Sequence, residues 1–334
     1  MTRQFSLIFI CILILCFLPS LTFANTKTVI DGDGRQLKIP INVQRVVVLT
    51  NVCIEAINYL GSINKIAGRI KLRDSSPLLE ELIPAFRNIP VVSESESDVN
   101  IEKLLSVKPD VVIALGGEVG FRLKSSLVER IEAFGVPVVL IKVRSLEDNY
   151  ETIRLMGMIF NNEKKAEDMV NHMKGIVNMV KQKTKKIPDE KRLRVLTVSG
   201  NDITTVIAGD WGKEDIRVLA GGKNVAGDIR QFVATVSLEQ IIAWNPDVIT
   251  ISHLGRMKPK DIIENPRLQN INAVKNRRVY QNSYYIGGLY TPKVVLLLCW
   301  YAAKIYPELG IDWVKTADNF YRKIYGIPYP GLKN

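Results

Sequence analysis

EKLLSVKPDVV occupies residues 102–112, and EQIIAWNPDVI occupies residues 239–249. In each block a glutamate is followed seven residues later by a proline, then an aspartate and an apolar run. The first part carries apolar side chains at helical spacing, the proline stops the helix, and the run behind it is short and uniformly apolar. Each block therefore reads as helix, turn and buried strand. A strand apolar on both faces belongs to a parallel sheet covered by helices.

A second echo precedes each block. Residues 60–68 read LGSINKIAG, and residues 221–227 read GGKNVAG. Working outward, apolar runs at 45–49, 111–115 and 136–141 read as strands, alternating with helical patterns at 52–60, 101–107 and 123–134. The order returns with strands at 194–198, 248–251 and 278–280 and helices at 212–220 and 238–244. Asp31-Gly32-Asp33-Gly34 supplies turn chemistry for a hairpin over 27–39. Between the halves, Ala166, Met169, Val170, Met173, Ile176, Val177 and Val180 recur at steps of three and four. This predicts a long helix over 162–186, capped by Asn162, with lysines crowding its negative end and Pro188 beyond it. The expected fold is α/β: two pseudo-symmetric lobes with mostly parallel central sheets flanked by helices, joined by one long rigid α-helix. The expected divisions are 1–24, 25–145, 146–187 and 188–334.

Residues 1–24 read as a secretory signal, with Arg3, an apolar run over 7–18 and Thr22-Phe23-Ala24 as the cleavage site. Cys11 and Cys16 lack the small preceding residue that lipidation needs, so the mature chain keeps Cys53 and Cys299, expected as free thiols. The 334 residues carry a net charge of +11, spread along the chain. That scatter, without a basic stripe interleaved with aromatics, argues against nucleic acid and for a solvated basic surface, with attraction of an anionic ligand as the alternative. Two histidines and four cysteines leave little from which to build a His- or Cys-ligated metal centre. Catalysis is not expected. No Gly-x-Ser-x-Gly elbow is present, Gly116-Gly117-Glu118-Val119-Gly120 lacks dinucleotide spacing, and Ser62-Ile63-Asn64-Lys65 lacks its companion motifs.

Glu102 and Glu239 each follow a capping residue, Asn100 or Ser237, by two positions. A carboxylate there complements the helix dipole. As a matched pair on two related lobes, they also offer two negative points to a two-fold partner. Together with Asp31-Gly32-Asp33-Gly34-Arg35, the two Pro-Asp blocks, Ala273-Val274-Lys275-Asn276-Arg277-Arg278-Val279-Tyr280 and Tyr306-Pro307-Glu308, they make the chain resemble a known family. It is similar to the helix-linked (class III) periplasmic substrate-binding proteins of ABC importers for ferric siderophores, haem and cobalamin. The resemblance implies a monomer in the periplasm that docks onto an ABC permease dimer, with arginines of the permease meeting Glu102 and Glu239. It implies no cofactor, the bound species being an iron chelate. Cobalamin or haem is the alternative ligand, and an extracytoplasmic sensor or adaptor the alternative role. The zinc and manganese branch of that architecture uses several histidines, whereas this chain has His172 and His253 alone.

Ligands of open parallel sheets sit beyond the carboxyl ends of the strands. That rule nominates Asn51, Arg69, Gly117 and Glu118 in the first lobe, and Arg230, His253, Tyr284 and Tyr285 in the second. Trp211, in a glycine-bounded turn, suits stacking on a flat ligand. Tyr284 and Tyr285 are adjacent, so on an extended chain one of them faces the cleft.

Overall fold

The computed structural model describes residues 25–72, 78–95, 98–117, 122–199, 201–209, 215–253, 255–288 and 291–333. The signal sequence read at 1–24, and the candidate ligand residues Glu118 and Trp211, lie outside the described residues.

The chain opens with an antiparallel hairpin, β1 (Thr26–Ile30) and β2 (Gln36–Pro40). A first sheet follows, from β3 (Val46–Val48), β4 (Ile66–Ile70), β5 (Val91–Ser95), β6 (Asp98–Val99), β7 (Val111–Leu115) and β8 (Val138–Ile141), in the order β6-β5-β4-β3-β7-β8. Helices α1 (Ile54–Tyr59), α2 (Leu78–Leu82), α3 (Ile101–Ser106) and α4 (Ser125–Glu132) connect them. The pairings are parallel apart from β5 with β6. Helices α5 (Leu146–Phe160) and α6 (Glu163–Thr184) then carry the chain to the second lobe. Its sheet comprises β9 (Arg194–Val198), β10 (Thr205–Ile207), β11 (Lys223–Asn224), β12 (Val233–Thr235), β13 (Val248–Ile251) and β14 (Val279–Gln281). Here β9, β13, β14 and β11 run parallel, while β10 and β12 form an antiparallel margin that the repeat reading did not contain. The remaining helices are α7 (Ile216–Leu219), α8 (Leu238–Trp244), α9 (Pro259–Ile263), α10 (Asn272–Lys275), α11 (Val294–Ile305) and α12 (Trp313–Tyr325).

The repeated aspartate has a defined task. Asp110 accepts the backbone N–H of Gln44 at 2.7 Å and of Arg45 at 2.8 Å, fixing the entry to β3. Asp247 accepts the N–H of Arg194 at 2.9 Å and the Arg194 guanidinium at 3.0 Å, fixing the entry to β9. Burial opposes the charge on Asp247, yet bonds from Arg194 and Asn272 hold its carboxyl below the usual range. Each Pro-Asp thus anchors a neighbouring strand as well as starting its own. Before each proline the chain turns through positive φ, 46° at Lys108 and 43° at Asn245.

The central strands of each sheet bury both faces, and Val46, Val47 and Val48 are fully inaccessible. The outer face of the first sheet packs on α3 and α4, around Leu104, Val112 and Ile131. That of the second packs around Ile241, Ile262 and Leu268. The inner faces belong to one continuous core that runs from Ile54 and Ile141 through Met169 and Met173 to Val295 and Phe320. Helices α1, α5, α6, α11 and α12 all contribute to it. At the α5–α6 turn, a side-chain carbon on Gly157 would lie 2.6 Å from Ala166 Cβ, so glycine is what lets the two helices approach. Asn162 stands at the start of α6 but does not cap it with its side chain, which donates instead to Leu60 O at 2.9 Å. No helix among the described residues is long and apolar enough to cross a membrane.

Candidate functional site

The carboxyl ends of the central strands supply the rim. In the first lobe, β3 turns through residues 50–53 into α1, leaving Asn51 half-buried with Oδ1 enclosed and without a hydrogen-bond partner. Beyond β7 stand Gly116 and Gly117, and the hairpin loop closes over them. Asp33 accepts the Gly117 N–H at 2.8 Å, and a side chain on Gly116 would strike the Asp33 carboxylate at 2.7 Å. Asp31 holds that loop by accepting Arg35 Nε at 2.9 Å and Leu140 N–H at 3.3 Å. The aspartate–glycine motif is therefore a clamp on the end of the sheet.

Arg69 is corrected by its surroundings. It lies buried within β4, donates to Ile89 O at 3.1 Å and Glu80 at 3.1 Å, and stacks on Phe86. Burial lowers its pKa and Glu80 raises it. Its charge serves the lobe interior and is not offered to a ligand. Arg230 is exposed in the segment between β11 and β12, with no ion pair or hydrogen bond to its side chain among the described residues.

The second-lobe rim converges on His253, just past β13. Its ring meets Tyr284 edge-on at 5.4 Å between centroids. A side-chain carbon on Gly287 would lie 2.0 Å from its Cε1, so the opposite wall must be glycine. Burial first, and the Lys293 charge second, push the imidazole pKa down to about 4, against a hydrogen bond with Asn282. It is neutral near pH 7. Its Nδ1 is enclosed and unpartnered, as is Oδ1 of Asn282, a residue only 8% exposed.

Tyr284 and Tyr285 lie in a turn, so the extended-chain expectation that one of them faces away does not apply. Both reach the first lobe. The Tyr284 hydroxyl accepts Leu78 N–H at 3.3 Å, and the Tyr285 hydroxyl donates to Glu81 at 3.3 Å. The Tyr321 hydroxyl donates to Tyr285 O at 2.5 Å and holds the turn from behind. Sequence reading missed α2 and Asn282, whose partners are distant along the chain. It also missed Glu55 and Lys293, although a charge inside an apolar run is a visible signal. Among the described residues, no cluster of three His, Cys, Asp or Glu side chains comes together to hold a metal.

Glu102 and Glu239 occupy the first turns of α3 and α8, both exposed. Asn100 caps α3 by accepting Lys103 N–H at 2.9 Å, and Ser237 caps α8 by accepting Gln240 N–H at 3.0 Å. Glu239 also pairs with Arg267 at 2.8 Å. The equivalent placement of the glutamates is the repeat made visible.

The profile of the periplasmic binding protein family matches residues 46–283. The chain belongs to that family. It falls in the class that serves ABC importers, and it is a solute-binding protein rather than an enzyme. It is 25% identical to the molybdate-binding protein MolA of Haemophilus influenzae, over 95% of this chain and 97% of that one. It is also 25% identical to the Fe(3+)-citrate-binding protein YfmC of Bacillus subtilis, over 77% of this chain and 78% of that one. A periplasmic solute binding protein from Veillonella parvula superposes with a TM-score of 0.77 at 26% identity, covering 91% of this chain and 94% of that one.

Proposed function

We propose that this periplasmic binding protein captures a metal chelate, a ferric siderophore foremost, between its lobes and passes it to an ABC permease dimer through Glu102 and Glu239. The observation that carries the ligand reading is the His253 corner. A neutral imidazole with an enclosed, unpartnered Nδ1 stands beside a tyrosine face, near the Asn282 amide. Such a surface accepts a polar, partly aromatic ligand whose metal stays with its own chelator. Lys293, the buried cation whose charge acts on His253, already pairs with Glu55, which favours a chelate over a small bare oxyanion. The iron-citrate-binding relative supports the same ligand class.

Titrating the purified protein with ferric citrate, a ferric catecholate, cyanocobalamin, haem and molybdate, read by intrinsic fluorescence, tests the reading. A ferric chelate should bind, and His253→Ala should weaken it roughly tenfold or more, the scale of a lost hydrogen bond to a charged ligand. Binding of molybdate alone would assign the cleft to an oxyanion, the ligand named for the Haemophilus relative. Equal affinity in the variant would remove His253 from the site.

A further inference from the structure

Glu55 and Lys293 are 1% and 4% exposed at their side chains, and Lys293 Nζ lies 2.7 Å from Glu55 Oε1. Glu55 belongs to α1 of the first lobe, four residues after Asn51. Lys293 stands at the start of α11 in the second lobe, six residues after Gly287, which faces His253. The pair therefore joins the two ligand-bearing loops across the lobe boundary. Its neighbours in sequence, Ile54, Ala56, Ile57, Val294 and Val295, are buried and apolar. The second carboxylate oxygen, Glu55 Oε2, is enclosed without a hydrogen-bond partner, and the buried Tyr325 hydroxyl is likewise unpartnered. Burial first and the Glu55 charge second raise the Tyr325 phenol pKa, which places α12 against the same carboxylate.

Such an arrangement is a poor way to gain stability. Replacing a buried ion pair by packed apolar side chains is often neutral or stabilising, and the best-attested use of such pairs is to fix register. Apolar surfaces slide over one another at little cost, whereas a single charged contact at hydrogen-bond distance admits one alignment. We propose that Glu55 and Lys293 are a positioning pair that sets the separation of the lobes, and hence the width of the cleft, before any ligand arrives. The proposal holds whichever solute the cleft takes. The rival explanation is also in the structure: the continuous apolar core alone fixes the lobes.

Spin labels at Arg130→Cys and Lys260→Cys, exposed positions on the two lobes, report the inter-lobe distance distribution in the ligand-free chain without residues 1–24 and their two cysteines. The native Cys53 and Cys299 are buried and do not take the label. The decisive variant is E55M/K293M, which removes both charges together and keeps the core apolar. Its melting temperature should stay close to the parent value while the width of the distance distribution at least doubles. E55Q is the second variant. Glutamine keeps the shape of the side chain and an oxygen that accepts from Lys293 while removing the negative charge, and its distribution should broaden as well. Distributions as narrow as the parent in both variants would overturn the positioning role and assign lobe alignment to apolar packing.

Discussion

Lys108 and Asn245 hold the same place in the two repeats and adopt nearly the same left-handed backbone, with φ of 46° and 43°. Their side chains make the difference. A lysine gains nothing there against a steric cost of about 1–2 kcal/mol, whereas asparagine tolerates the region better. Asn245 also accepts Asn272 N–H at 2.8 Å through its side-chain oxygen. Lys108→Gly should therefore stabilise the protein by about 0.5–1 kcal/mol after glycine's extra unfolded-state entropy is counted. Asn245→Gly should destabilise by about 1 kcal/mol through the lost hydrogen bond. Urea midpoints of the two variants check this, and shifts of equal sign would contradict it. The dihedral was not readable from the repeat, because the spacing shows where a turn falls and not which way its backbone winds.

Helix α6 shows how an element couples its surroundings. Its apolar face was legible from spacing, and Ala166, Met169, Val170, Met173, Ile176, Val177 and Val180 are all buried. Its polar contacts were not. Asp168 accepts the Tyr59 hydroxyl from α1 at 2.5 Å and pairs with Lys323 of α12 at 2.8 Å, so one carboxylate binds both lobes to the helix. One turn on, His172 stacks against Phe320 with its Nε2 enclosed and unpartnered. Burial first and Lys323 second lower its pKa, partly opposed by Asp168. A histidine in the unfolded chain takes up its proton near pH 6.5, while the folded one resists until lower pH. The unfolded state then binds more protons, so stability falls as pH drops below about 6.5 and levels off beneath the lowered folded pKa. Denaturation at pH 7.5 and 5.5 should show a larger loss for the parent than for His172→Gln. Identical losses would place the acid sensitivity elsewhere.

At the scale of the whole molecule, the docking role proposed for the paired glutamates would turn a binding protein into a delivery protein. Both are exposed, on helices that lead into the Pro-Asp strands, and neither contacts the His253 corner. The Glu239–Arg267 pair is exposed, and such pairs are worth about 0–1 kcal/mol, so on the proposed docking role a permease arginine would displace Arg267 at little cost. Glu102→Ala with Glu239→Ala should abolish import in a reconstituted transporter while changing chelate affinity less than about twofold. Each loss also removes roughly 0.3–1 kcal/mol of helix-dipole stabilisation, small beside the total. Surface ion pairs act on encounter and orientation, so a single substitution should weaken uptake less than the double one, and high salt should mimic the defect. Normal import by the double variant at equal abundance would return both residues to a purely helix-capping role.

The sequence by itself determined the alternation of buried strands and helices, the duplication, the long helix and the family. All of these rest on local periodicity, or on spacing between neighbours along one chain. It also determined that Glu102 and Glu239 occupy matching places, because a repeat transfers position from one lobe to the other. Only the tertiary structure decided which charges are free. Arg69 looked available after an apolar run, yet it is consumed by Glu80 and Phe86. Tyr284 and Tyr285 both cross to the first lobe because a turn, not an extended strand, carries them. Glu55 and Lys293 meet although more than two hundred residues separate them. The physical reason is common to all three. Periodicity reports whether a side chain faces inward, but the partner that neutralises it is set by how elements from distant parts of the chain pack together.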